Sequence, residues 1–325
     1  MPDSGARSAA AGGLLRLAPA LGAVYVIWGS TYLAIRFAIA TIPPFLMAGV
    51  RFLVAGTLLY AWARATGAAR PTRRNWLAAA LVGACLLLGG NGGVTWAEQR
   101  VDSGLTALLV TTVPLWMVLF DWLRPGGRRP GWRVGLGLLL GFAGVALLVR
   151  PGTGGGAVDP VGAAVLIAAS LSWAWGSMAS RRLPLPDSPI LTTGMEMLAG
   201  GGLLLLASLA AGEPGRFALA AVTTKSLLAL GYLIAFGALI GFSAYVWLLR
   251  EAPPALVATY AYVNPVVAVL LGWAFAGEPL TAGTLAAAAV IVTGVAVITS
   301  AQRRPAVAEP EPAERISSMD ERAAA

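Results

Sequence analysis

Apolar residues in this chain gather into ten runs, at about residues 17–39, 44–65, 76–97, 103–123 and 132–149, then 158–179, 189–211, 226–249, 254–276 and 281–300. A helix needs roughly 20 mainly apolar residues to cross a bilayer, and each run is close to that length. Within the runs the polar residues are too few to form a wetted face. A helix that is apolar on all sides belongs in a membrane or a large core. The separators are rich in proline, glycine and arginine, as in Thr41 to Pro44, Gly67 to Arg74, Arg124 to Gly131, Arg150 to Gly156 and Arg181 to Asp187. The pattern predicts an all-α integral membrane chain of ten transmembrane helices. It is flanked by an N-terminal segment (1–16) and a disordered Pro/Glu/Ala-rich tail (301–325).

Composition agrees and removes several other classes. The chain is 58% hydrophobic and 12% charged, against about 25% charged for a soluble domain. The first run is too long for a signal peptide and has no clean cleavage site before polar sequence. The formal charge of +8 would suggest nucleic acid in a soluble protein. Here the loops account for it. With the N-terminus inside, inner segments hold 17 arginines, outer loops hold Arg100, Arg150, Arg216 and Lys225, and Arg36 and Arg51 lie within runs. Every loop pair follows the positive-inside rule, so both termini are expected in the cytoplasm and nucleic acid is not an expected partner. Cys85 is the single cysteine, which excludes an internal disulfide. With no histidine in the sequence, the commonest metal ligand and general base are missing; neither a metal nor a cofactor is expected.

The two sets of five runs echo each other. Trp28-Gly29-Ser30 in the first run matches Trp175-Gly176-Ser177 in the sixth. Pro44, Gly49, Arg51 and Gly56 in the second match Pro189, Gly194, Glu196 and Gly201 in the seventh. Trp96 matches Trp247, and Pro114 matches Pro265, both at a spacing of 151. An odd number of crossings per half turns the second half upside down. Residues 17–149 and 158–300 therefore read as two inverted five-helix repeats, an arrangement that in secondary transporters places the site near the midplane between halves.

Some residues stand out against the apolar background. Arg51 and Glu196 each lie seven residues into a run, where a charge costs at least ~2.5–3.5 kcal/mol. Each reads equally well as a coupling or substrate group and as a buried polar tie. Arg36 and Asp121 lie nearer run ends, where Arg36 can snorkel. Glu98 and Glu278 sit where the third and ninth runs end. Capping is the favoured reading for both, with proton coupling a second role for Glu98. Trp28 and Tyr32 fall on one stripe of the first run together with Tyr25. With Asn91, Thr111 (beside Thr112), Trp175, Ser243, Tyr245, Tyr260 and Asn264 they supply the aromatic walls and sparse polar groups of a small-molecule cavity. Interhelical hydrogen bonding is the plainer reading of any one of them. Gly135-x-Gly137 lacks the strand that a dinucleotide fingerprint requires, and Pro114 and Pro265 fit helix breaks that neighbours can repair.

Several longer motifs resemble one known family. They are Ile27-Trp28-Gly29-Ser30-Thr31-Tyr32, Ala48-Gly49-Val50-Arg51-Phe52, Gly90-Asn91-Gly92 with Ala97-Glu98, Thr112-Val113-Pro114-Leu115, Ser172 to Ser177, Glu196-Met197-Leu198-Ala199, Tyr260 to Pro265 and Gly277-Glu278-Pro279-Leu280. Together they are similar to the EamA-type transporters of the drug/metabolite transporter superfamily, especially a YedA-like bacterial inner-membrane subgroup, over about residues 17–300. The resemblance implies a basket of ten helices with helices 1, 3, 4, 6, 8 and 9 around a central cavity. It also implies alternating access and export of amino acids, related metabolites or drugs. The family's Gly-Glu pair after the fourth helix of each half is present at Gly277-Glu278; the first half has Arg-Pro-Gly-Gly at 124–127 instead. The expected partners are thus a small-molecule substrate, the lipid bilayer and, if coupling is ionic, protons. No Walker motif supplies ATP drive. An intramembrane lipid-modifying enzyme would need clustered acid-base residues that this chain lacks. A non-transporting scaffold would have no cavity between the halves.

Overall fold

The computed structural model describes residues 17–124, 129–149, 159–252, 254–257 and 260–302. The N-terminal segment 1–16, nearly all of the tail and most of the Arg-Pro-Gly-Gly stretch at 124–127 lie outside the described residues. Among the described residues ten long helical elements follow the apolar runs; the offset is largest in the ninth, where a short helix (Pro254–Val257) precedes the long one that starts at Tyr260. The ten are α1 (Leu17–Ala38), α2 (Pro44–Ala65), α3 (Arg73–Ala97), α4 (Ser103–Leu123), α5 (Trp132–Val149), α6 (Pro160–Ser180), α7 (Pro189–Ala210), α8 (Thr224–Leu248), α9 (Tyr260–Ala276) and α10 (Ala282–Gln302). Seven of them, α1 to α4 and α6 to α8, are long and apolar enough to cross a membrane. The apolar cores of α5, α9 and α10 are shorter: Trp132–Leu147, Val263–Ala276 and Ala282–Ile298. No strand occurs among the described residues.

Local sequence explains where these helices begin and bend. Proline opens α2, α6 and α7, where its missing N–H costs nothing. Thr72 and Asn75 form a capping box at the start of α3. Pro114 stands at the start of the second part of α4 (Val113–Leu123), so the helix is interrupted at Thr111 and Thr112. Pro265 lies inside α9. Three helices carry π-helical stretches: Val24–Trp28 in α1, Ala84–Gly92 in α3 and Leu233–Phe242 in α8. Such stretches are rare and frequently mark functional sites.

Two helix pairs, α2 with α7 and α5 with α10, pack most extensively, and glycine lies in both seams. A Cβ on Gly56 would meet the Gly194 carbonyl oxygen at 3.0 Å, and one on Gly201 would meet that of Gly49 at 3.2 Å. The low-numbered glycine of α2 therefore faces the high-numbered glycine of α7, so the helices run antiparallel. Between α5 and α10, a Cβ on Gly137 would approach the Gly294 carbonyl at 2.7 Å, and one on Gly144 would meet the Ile291 nitrogen at 2.9 Å. These helices are antiparallel too. Backbone contact this close suits a bilayer interior, where small residues and tight packing supply most of the association.

The loops define two ends. The upper end carries the α1–α2, α3–α4, α7–α8 and α9–α10 connections, and the lower end carries α2–α3 and α6–α7. The lower loops are tied by Asn75 Nδ2, which donates to the Pro184 carbonyl at 2.7 Å.

Candidate functional site: a central cavity and its aromatic floor

A narrow cavity of about 70 Å³ lies among α1, α2, α3, α4, α6, α8 and α9. Its polar groups come from Thr31, Arg51, Asn91, Ser170 and Asn264, and its aromatic wall includes Trp28, Tyr32, Trp173, Phe242 and Tyr260. Pockets for drug-sized ligands run to ~300–1,000 Å³, so a substrate fits only if these walls separate. Beneath it, a second cavity of about 290 Å³ opens towards the lower end between α6, α7 and α8, lined by Ser177, Arg181, Asp187, Glu196 and Tyr245.

Aromatic rings separate the two. The Trp28 ring lies 4.8 Å from Tyr245, 5.6 Å from Tyr260 and 5.8 Å from Trp173, centroid to centroid. Tyr245 meets Tyr260 at 5.7 Å and near-perpendicular. Edge-to-face pairs at such distances add ~0.5–1.5 kcal/mol each beyond burial. The π-helical stretches position this floor. Trp28 Nε1 donates to the Gly237 carbonyl of the α8 stretch at 3.3 Å. Gly241, further along the same stretch, lies against the Trp28 indole, leaving no room for a larger side chain. In the amide orientation that satisfies both partners, the Asn264 amide donates to the Tyr25 and Tyr260 carbonyls at 3.1 and 3.3 Å.

The residues singled out from the sequence are partly brought together. Trp28, Tyr32, Asn91, Tyr260 and Asn264 line the central cavity, and Arg51, 4% exposed, stands in its wall with its guanidinium 4.7 Å from the Phe52 ring centroid. Tyr245 forms the floor, and Glu196 lines the lower cavity. Three residues lie elsewhere. Thr111 is buried at the break in α4, its hydroxyl donating to the Ala107 carbonyl. The Ser243 hydroxyl is buried outside the cavity lining. Trp175 is 45% exposed on the outside of α6, and Trp173, two residues earlier, takes the inward position.

Three glutamates are buried at the upper end, and two of them cap helices. Glu278 Oε1 accepts from the Ser103 amide at 2.8 Å and hydroxyl at 2.7 Å, and Oε2 accepts from the Gly104 amide at 3.0 Å. Arg36 Nη1 adds a 3.1 Å ion pair with Glu278 and a 2.6 Å one with Asp102. Glu278 thus caps α4 from the second half of the chain. Glu213 does the same for α2, accepting from the Phe45 and Leu46 amides at 3.1 and 2.7 Å. Each follows a glycine at φ +66°, Gly277 or Gly212, which turns the chain back at the end of its helix. The capping role of Glu213 escaped the sequence reading, although Ala-Gly-Glu-Pro occurs at both 211–214 and 276–279. Glu98, expected to cap, does not: it is 4% exposed and neither oxygen has a hydrogen-bond partner. Asp121 pairs with Arg124 at 2.7 Å on the surface. Among the described residues no cluster of potential metal ligands occurs.

Comparison with known proteins agrees with the geometry. The EamA-like transporter family model matches residues 19–150 and again 160–300. The chain is 45% identical over 289 residues to the inner membrane transporter YedA of Escherichia coli, covering 88% of this chain and 91% of YedA. It is 27% identical to the transporter YvbV of Bacillus subtilis, covering 87% and 91%. One solved crystal structure shares the fold with a TM-score of 0.62 at 23% identity, over 89% of this chain and 99% of that one.

Proposed function

The chain belongs to the EamA-like transporter family, and from that premise we propose that it is a secondary transporter that exports small metabolites (amino acids or related compounds) or drugs by alternating access. It is a multi-pass protein of the bacterial inner membrane and a transporter rather than an enzyme. The observation that carries the proposal is the pair of cavities above and below one aromatic floor. In alternating access a central site opens to one side at a time. Parting Trp28, Trp173, Tyr245 and Tyr260 would join the two spaces, and closing the upper end at the same time would keep the path from becoming a pore.

Ten crossings in two inverted halves are part of the proposal. Each half matches the family model separately. The glycine contacts support the inversion: Gly49 and Gly194, equivalent in the repeat, contact Gly201 and Gly56, which are also equivalent. Reciprocal contact of this kind is what a two-fold axis produces. The arginine distribution supports a cytoplasmic lower end carrying both termini.

The test is transport by purified protein in liposomes, or resistance of cells to toxic amino-acid analogues. Trp28→Ala and Tyr260→Ala are expected to lower flux at least tenfold while leaving membrane insertion and yield unchanged. Unaltered flux in both variants would refute the assignment of the floor.

A further inference from the structure

Glu98 lies one residue beyond α3 on the stripe that lines the central cavity. Asn91 and Val94 form part of that lining, and Glu98 follows Val94 by four residues, one turn towards the upper end. Arg36 follows the lining residue Tyr32 by the same step on α1. Glu98 therefore stands one turn beyond the cavity lining, between the cavity and the upper end, and is itself buried. The charged and titratable groups facing it are Arg36 and Tyr32 from α1, Arg51 from α2, and Glu278 from the α9–α10 connection. Asp102 joins this group through its ion pair with Arg36.

In this company Glu98 is the member without donors. Glu278 accepts three hydrogen bonds and an ion pair, whereas neither Glu98 oxygen has a hydrogen-bond partner. No ion pair joins Glu98 to Arg36 or Arg51 among the described residues, and the Arg51 Nε is buried without a partner as well. A buried carboxylate with nothing donating to it is costly, and taking up a proton removes most of that cost. Burial raises the Glu98 carboxyl well above the ordinary carboxylate range; Glu278 adds to the rise, and the Arg36 and Arg51 charges oppose it. The Arg36 backbone amide opposes it most weakly, because it lies outside hydrogen-bond geometry. A guanidinium moving closer favours the charged form.

We propose that Glu98 is a proton-binding site between the central cavity and the upper end, gaining a proton when water reaches it and losing it when Arg36 or Arg51 moves closer. In the protonated state one Glu98 oxygen carries an O–H; on release the proton returns to water and the carboxylate pairs with the arriving guanidinium. The proposed transport function gives this site a use, since a proton bound on one side and released in another conformation couples the gradient to substrate movement.

The experiment reads the proton directly and needs no substrate, so a failure of the transport reading and a failure of this one are distinguishable. Infrared spectra of the purified full-length protein, titrated between about pH 5 and 9, report the C=O stretch of protonated carboxyl groups. A band present near neutral pH is expected in the wild type and in the surface control Asp121→Asn, and absent in Glu98→Gln. Arg51→Gln is expected to keep the band to higher pH than the wild type. A spectrum of Glu98→Gln matching the wild type, or no protonated carboxyl in the wild type across the range, would overturn the proposal.

Discussion

Glu278 and Glu98 stand near one another at the upper end of the bundle, both almost fully buried, and their surroundings are opposite. Glu278 receives two backbone amides, a hydroxyl and an arginine; Glu98 receives none of these. A helix N-terminus offers free N–H groups and a positive dipole end, so a carboxylate placed there is stabilised in its charged form. A helix C-terminus such as the end of α3 offers carbonyl oxygens, and a carboxylate placed there lacks donors. The same residue type is therefore a fastener in one position and a proton acceptor in the other.

The largest expected effect from breaking this contrast comes from Glu278→Ala. It leaves the α4 amides uncapped and Arg36 with Asp102 alone, a loss on the order of 3 kcal/mol, read as a lowered midpoint of thermal unfolding in detergent. Next is Glu213→Ala, which removes only two amide contacts at the start of α2 and should cost about 1–2 kcal/mol in the same assay. Glu98→Gln is expected to have the smallest effect and the opposite sign. Because burial raises the Glu98 carboxyl in the folded protein, the folded state holds more protons than the unfolded chain. Stability then falls as pH rises from the ordinary carboxylate range through the raised value. Glu98→Gln should match the wild type in acid and exceed it slightly in alkali. A variant less stable than the wild type at every pH would show that Glu98 is a fastener after all.

The helices were legible in the sequence because bilayer thickness fixes their length and because Pro44, Pro160 and Pro189 mark their starts. Their rotation was legible only in part. A helix apolar on every side has no wet face to set its register, and so nothing in Ser172 to Ser177 distinguished an inward Trp173 from an outward Trp175. The π-helical stretches in α1, α3 and α8 add a second difficulty, since they shift the register that a 3.6-residue period assumes. A 3.6-residue period puts Tyr25 on one stripe with Trp28 and Tyr32, but it does not line the central cavity. Thr111 is polar within an apolar run, yet its hydroxyl is used locally at the α4 break. The capping by Glu213 depended on a contact 168 residues away in sequence. Only the repeated Ala-Gly-Glu-Pro hinted at it.

Alternate opening of the two cavities on opposite sides of the aromatic floor is tested most directly by cysteine accessibility from each side. In a Cys85→Ser background, Asn91→Cys lies above the floor and Ser177→Cys lines the cavity below it. A membrane-impermeant maleimide should label Asn91→Cys from the periplasmic face of oriented vesicles and Ser177→Cys from the cytoplasmic face. Adding Trp28→Ala should let reagent reach both positions from either side. If neither position is labelled from any side, or if Trp28→Ala leaves the sidedness unchanged, the aromatic floor is not the barrier and the two cavities do not open alternately across it.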